Sequence, residues 1–324
     1  MNNQPILDAI DPEIVDRLVA RKEEIDNGSP VRPGIAAALA LASVPVALAA
    51  LSRDVYGQGT LPAAIKGVLD FALALEIFED EFYKAVLGTS AVAAQNAAFA
   101  TVRTAAAAVP GAVNTLQQIQ KHEAAHRATL LATGATNVFS LSGSSFDFTG
   151  ARGAGNGPFA KATTDLAFLL QVAQGAEDTG VRAYKGQAAT LMPSPTILEA
   201  ALRIHSVEAR HAARIRRMRR AAAGAPDTVR WSGTVRGGGA AAAGATDLGP
   251  QSAMVTAAFN AIYGAGANAT NAPNESNITQ AGVNVSTLSG ANFGLEAAQE
   301  AFDEPLDRAD VIAIVQPFFI PTVS

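Results

Sequence analysis

The sequence predicts an all-α chain: a four-helix bundle with a long crossover connection, an N-terminal helical extension and an irregular C-terminal wrapping segment. Three observations carry this. Long stretches over 62–88, 112–133, 159–191 and 195–222 place apolar residues at helical spacing. Each of those stripes is interrupted by Glu or by Glu-x-x-His. After about residue 223 the composition turns to Gly, Ala, Asn, Thr and Ser. The chain of 324 residues therefore divides into 1–60, an N-terminal extension, 61–222, the bundle, and 223–324, the extension that wraps it or a neighbouring subunit.

Residues 11–25 read as a capped amphipathic helix, with Asp11 as cap and Pro12 in the first turn. Residues 34–51, GIAAALALASVPVALAAL, contain no charge. They read as a buried Ala-rich helix, with an export segment or a membrane helix as the alternatives. The acidic stretch ahead of them lacks a short basic leader, so a cytoplasmic location is slightly favoured and membrane association is not expected.

The first bundle helix, over 62–88, aligns Leu69, Leu73, Glu76, Asp80, Tyr83 and Leu87. A very Ala-rich helix follows at 91–108, ending at Pro110-Gly111. The next, over 112–133, aligns Leu116, Ile119, Glu123, His126 and Leu130. A polar, Gly-rich stretch to about 157 is long enough to cross over. The third bundle helix, over 159–191, aligns Leu170, Ala173, Glu177, Val181 and Tyr184. The last, over 195–222, aligns Ala201, Ile204, Glu208, His211 and Ile215. In the tail, short strands are expected at 228–235 and 283–288, a short helix at 251–263, and helix again over 295–315, broken at Pro305.

The chemistry lies in a repeat. Glu-x6-Tyr followed by Glu-x-x-His occurs twice: Glu76, Tyr83, Glu123, His126, then Glu177, Tyr184, Glu208, His211. A Glu and a His at i and i+3 project from one helix face. Four ionised carboxylates facing one core would be untenable without counter-charge. Two divalent cations would neutralise them. One Glu from each of two helices, with Glu-x-x-His from each of two more, is the ligand set of a dinuclear carboxylate centre. Glu76 and Glu177 are expected as terminal ligands, Glu123 and Glu208 as bridges, and His126 and His211 as one nitrogen donor per metal. Tyr83 and Tyr184 are expected to hydrogen-bond a carboxylate ligand. Glu79 is the fallback for Glu76.

Other signals are weaker. His122-Glu123-Ala124-Ala125-His126 fits the HExxH zinc-protease pattern, but that reading leaves the second repeat unexplained. His122 and His205 read as solvated or core histidines. The run Arg210, Arg214, Arg216, Arg217, Arg219, Arg220 reads as a helix C-terminus paired with acidic neighbours. With no cysteine, any metal has nitrogen and oxygen ligands, which suits Fe or Mn, with Zn possible. The net charge of −5 gives no support to nucleic-acid binding. Charged residues are only 16%, against about 25% in typical soluble domains, which points to surface covered in a homo-oligomer.

The segments LDFALALEIFEDEFY, QKHEAAHRATLL, GAEDTGVRAYKGQ and LRIHSVEARHAARIRRMR resemble the ferritin-like domain proteins of the desiccation-related group. The resemblance covers roughly residues 60–222, and the tail EAFDEPLDRADVIAIVQPFF is also similar to that group. It implies a ferritin-like bundle, an association with stress, and metal ligands at Glu76, Glu123, His126, Glu177, Glu208 and His211. The long crossover and tail also resemble manganese catalases. The leading expectation is a di-metal protein that consumes O2 or H2O2, ferroxidase-like with iron or catalase-like with manganese. The alternative is a structural subunit of a larger assembly with a structural or vestigial metal site.

Overall fold

The computed structural model describes residues 61–222, 253–268, 273–288, 298 and 301–323. The expected elements at 11–25, 34–51 and 228–235 lie outside these residues. The described part is 67% helical with almost no sheet, a four-helix bundle with short additions. Among the described residues no helix is long and apolar enough to cross a membrane.

Two antiparallel helix pairs make the bundle. Helix α1 (Ala63–Leu87) begins without a side-chain cap and ends at Gly88, whose φ of 79° lets Thr89 N–H reach the Lys84 carbonyl. After α1 come α2 (Ala93–Ala98) and α3 (Ala100–Ala107), not the single helix expected over 91–108. The break falls at Phe99, whose ring is drawn against Phe82 and Phe148. Burying that aromatic outweighs the weak gain from continuing an Ala-rich helix. Helix α4 (Ala112–Thr133) returns alongside α1, so that Thr136 N–H, just past its end, bonds Asp70 near the α1 start.

The third bundle helix starts later than the sequence suggested. Residues Ala160–Thr163 form a 3-10 turn, and α5 (Leu166–Leu191) is capped by Asp165, which accepts from Phe168 N–H at 3.1 Å. Three residues then lead to α6 (Pro195–Ala222), which opens on proline as a first-turn position allows.

The tail adds α7 (Ala253–Tyr263) and α8 (Arg308–Val315), and both pack on α5. The expected strand over 283–288 is a two-residue strand, Val283–Asn284, paired with Thr279–Gln280, and then a 3-10 turn. The final residues lie along the crossover: Asp147 N–H bonds the Phe318 carbonyl and Ile320 N–H bonds the Ser145 carbonyl. The rings of Phe78, Phe82, Phe146, Phe148, Phe318 and Phe319 gather there. This explains why α1 is buried on nearly every side, including Glu79, Asp80 and Glu81, rather than on one stripe.

Arg182 fastens the tail. It is fully buried, and its guanidinium reaches the carbonyls of Ile262, Gly264, Pro273, Glu304 and Pro305 and the carboxylate of Glu275. One turn on, a Cβ at Gly186 would lie 1.9 Å from the Leu306 carbonyl oxygen, so only glycine admits the strap.

Candidate metal centre

Each ligand candidate comes from the middle of a bundle helix. Glu76 lies on α1, Glu123 and His126 on α4, Glu177 on α5, and Glu208 and His211 on α6. Glu76, Glu123, Glu177 and Glu208 are 0% exposed, so no solvent screens their mutual repulsion. They form two groups: Glu76, Glu123, His126 and Glu208, and Glu123, Glu177, Glu208 and His211. Within each group one donor atom per residue lies within 4.8 Å of every other. Glu123 and Glu208 belong to both, as bridging carboxylates must.

The donor spacing fits metal coordination better than hydrogen bonding. His126 Nδ1 lies 3.1 Å from Glu76 Oε2, 3.0 Å from Glu123 Oε2 and 2.8 Å from Glu208 Oε1. His211 Nδ1 lies 2.8 Å from Glu123 Oε1, 3.2 Å from Glu177 Oε2 and 3.1 Å from Glu208 Oε2. One N–H cannot serve three acceptors. An octahedral shell with donors at about 2.1 Å puts neighbouring donors roughly 3 Å apart, which is the spacing found. Glu123 Oε1 and Glu208 Oε1 are close to imidazole nitrogens but in poor hydrogen-bond geometry, and both are buried without a hydrogen bond. Two orphaned carboxylate oxygens, one from each shared residue, are what a pair of cations would satisfy. The residues present fit two metal ions.

The tyrosines cross between pairs. Tyr83 on α1 donates to Glu177 on α5, and Tyr184 on α5 donates to Glu76 on α1 at 2.6 Å. Each fixes the terminal carboxylate of the opposite helix, leaving its second oxygen toward the centre.

Electrostatics reflects a core of charges without cations. Burial, against the attraction of His126, pushes Glu76 up to about 8. Burial likewise raises Glu177 well above the carboxylate range. Burial also raises Glu208, but His126 and then His211 outweigh it and hold the group below the ordinary range. Burial disfavours the charged form of His211, yet Glu177, followed by Glu123 and Glu208, pushes it up to about 12.

A pH dependence follows. Between 4.5 and about 8 the unfolded chain gives up the Glu76 proton while the metal-free fold keeps it, so stability falls as pH rises. His211 acts in the same direction between 6.5 and about 12. Glu208 acts oppositely, but only below its ordinary value of 4.5. Metal binding requires deprotonated ligands, so the stabilisation it adds grows over the same window. The difference in melting temperature between metal-loaded and chelated protein is expected to widen from about pH 5 to pH 8. A constant or shrinking difference in a calorimetric pH series would contradict this.

The other candidates are placed elsewhere. Asp80 bonds Lys84, Gln120 and Arg127 and takes no part in the centre. Glu79 is buried but joins neither donor group; it borders a cavity beside Gly180. His205 Nδ1 bonds the Val181 carbonyl at 3.0 Å. His122 is no zinc ligand of the protease kind: its Nδ1 lies 2.8 Å from His211 Nε2, and the Gln118 amide is 2.8 Å from its Nε2. Burial and then His211 and His126 lower His122 to about 4, and its 2.8 Å contact with His211 Nε2 fixes that ring. The partner of His122 is not legible in the sequence, because the contact joins α4 to α6. Arg216 and Arg219 turn inward to Asp178 and Gln174, beneath the Tyr263 hydroxyl.

Residues 66–221, the span of the bundle, match the family profile of the ferritin-like domain. No curated protein and no solved structure matches the chain. The buried Glu and His cluster is compatible with a di-metal carboxylate protein.

Proposed function

We propose that the protein binds two iron or manganese ions through Glu76, Glu123, His126, Glu177, Glu208 and His211 and uses them to consume O2 or H2O2 in stress protection. The carrying observation is that Glu123 and Glu208 each serve both donor groups and each keep one buried oxygen without a hydrogen bond. Such a pair, when bound, supplies a redox change of two electrons, and a symmetric clamp on the reacting oxygen atoms.

The protein's own part is to hold that pair rigidly. Glu123 and Glu208 span both positions. Tyr83 and Tyr184 lock the terminal carboxylates, and His122 locks the ring of His211. Burial keeps bulk water from competing for the ligands. Iron would make the centre ferroxidase-like and manganese would make it catalase-like. The narrower resemblance to desiccation-related proteins, and a homo-oligomeric state, belong to the same proposal.

The test is to load the purified protein anaerobically with Fe(II) or Mn(II) and add each oxidant in turn. Oxidation of two metals per chain, or sustained release of O2 from H2O2 with manganese, is expected. Full occupancy with no reaction toward either oxidant would overturn the redox reading and favour a structural metal site.

A further inference from the structure

Beside the metal centre lies an apolar cavity of about 40 Å³. Its walls come from three helices and the end of the chain: Leu75 and Phe78 of α1, Val172 of α5, Phe259 and Ile262 of α7, and Phe318. Ala176, Ala258 and Ile314 complete an outer rim that is half-buried. At the inner end the lining is Glu79 and Gly180. A Cβ on Gly180 would meet Glu79 Oε1 at 3.5 Å and Glu208 Cγ at 3.6 Å, so this wall of the cavity adjoins a shared ligand of the centre. Glu79 is 3% exposed, and none of the hydrogen bonds found among the described residues involves its carboxyl. A second apolar cavity, near Tyr184, has only about 10 Å³.

We propose that this cavity holds and delivers dioxygen to the metal centre, and that it selects O2 over H2O2. The proposal rests on the oxidant-consuming reading above and decides between its two oxidants. The size fits: a cavity needs about 10–15 Å³ for one water, so 40 Å³ admits a diatomic molecule. The lining fits as well. Enclosed apolar cavities stay dry and take up apolar guests. Hydrogen peroxide carries two O–H donors, and burying such groups unpaired is costly. Apart from Glu79 at the inner end, the polar side chain in the lining is Thr179, whose hydroxyl is already donated to the Gly175 carbonyl at 2.7 Å. An apolar diatomic incurs none of that cost.

The test uses the full chain and two fillings from opposite walls, Ala176→Leu on α5 and Ala258→Leu on α7. Crystals of the wild type pressurised with xenon should show anomalous density between Phe78, Val172 and Phe259, and the variants should lose it. With Fe(II) loaded, either variant should slow oxidation by O2 at least about tenfold while leaving oxidation by H2O2 and metal content unchanged. The second variant guards against one of them misfolding. Equal slowing with both oxidants, or no slowing in a variant that excludes xenon, would overturn the proposal. So would the absence of xenon from the wild type. If neither oxidant reacts with the loaded wild type, the redox reading itself fails. Delivery of O2 then fails with it, and xenon in the cavity would mark no more than a void.

Discussion

Replacing Glu123 by alanine will empty both metal positions, not one. Glu123 is common to the two donor groups, and its two oxygens face different imidazoles, Oε1 toward His211 and Oε2 toward His126. Loss of a residue that only supports a ligand costs about 10–100-fold in metal affinity, so loss of a shared ligand should exceed that range. Glu76→Ala removes a donor from one group alone and should leave one position filled. Elemental analysis after dialysis should give clearly lower metal per chain for Glu123→Ala than for Glu76→Ala. Stability should change sign with conditions. Where metal is abundant the variant melts below the wild type, because binding to the native state no longer stabilises it. In chelator it should match or exceed the wild type, because one buried carboxylate has gone. Two metals per chain retained by Glu123→Ala would show that the shared position is not a bridge.

Arg182→Ala should destabilise the fold by about 3–5 kcal/mol, the usual cost of removing one partner of a buried ion pair. The loss leaves Glu275, 1% exposed, without its Nε partner at 3.1 Å. It also strips donors from five backbone carbonyls of the tail. Those carbonyls belong to segments that lie against α5, so the tail should become protease-sensitive before the bundle does. Denaturant titration checks the magnitude. A change below about 1 kcal/mol would mean that the tail is held chiefly by its apolar contacts.

The long helices were legible because their apolar spacing is strong and their ends are marked. Gly88 and Gly134 close α1 and α4 in left-handed conformations, and Pro195 opens α6. α5 starts later than expected although the sequence carries the signal: Asp165 is a cap residue ahead of Leu166, and Phe159 joins the aromatic packing instead of a helix stripe. The break at Phe99 was not legible, because its cause is the packing of Phe82 and Phe148 from distant parts of the chain.

The centre was the most readable feature. Glu-x-x-His fixes two donors on one helix face without reference to any other element, and the duplication named all six residues that the structure gathers. What the sequence could not supply is everything set by contacts between helices. The exchange of Tyr83 and Tyr184 across pairs, the support of His211 by His122, and the cavity beside Glu79 are all of that kind.

The central claim is a dinuclear centre bridged by Glu123 and Glu208, and anomalous scattering from crystals of metal-supplemented protein tests it most directly. The account predicts two peaks about 3.5–4 Å apart, as in two-metal sites, one beside His126 and the other beside His211. A single peak, or peaks only at surface carboxylates despite full supplementation, would contradict it.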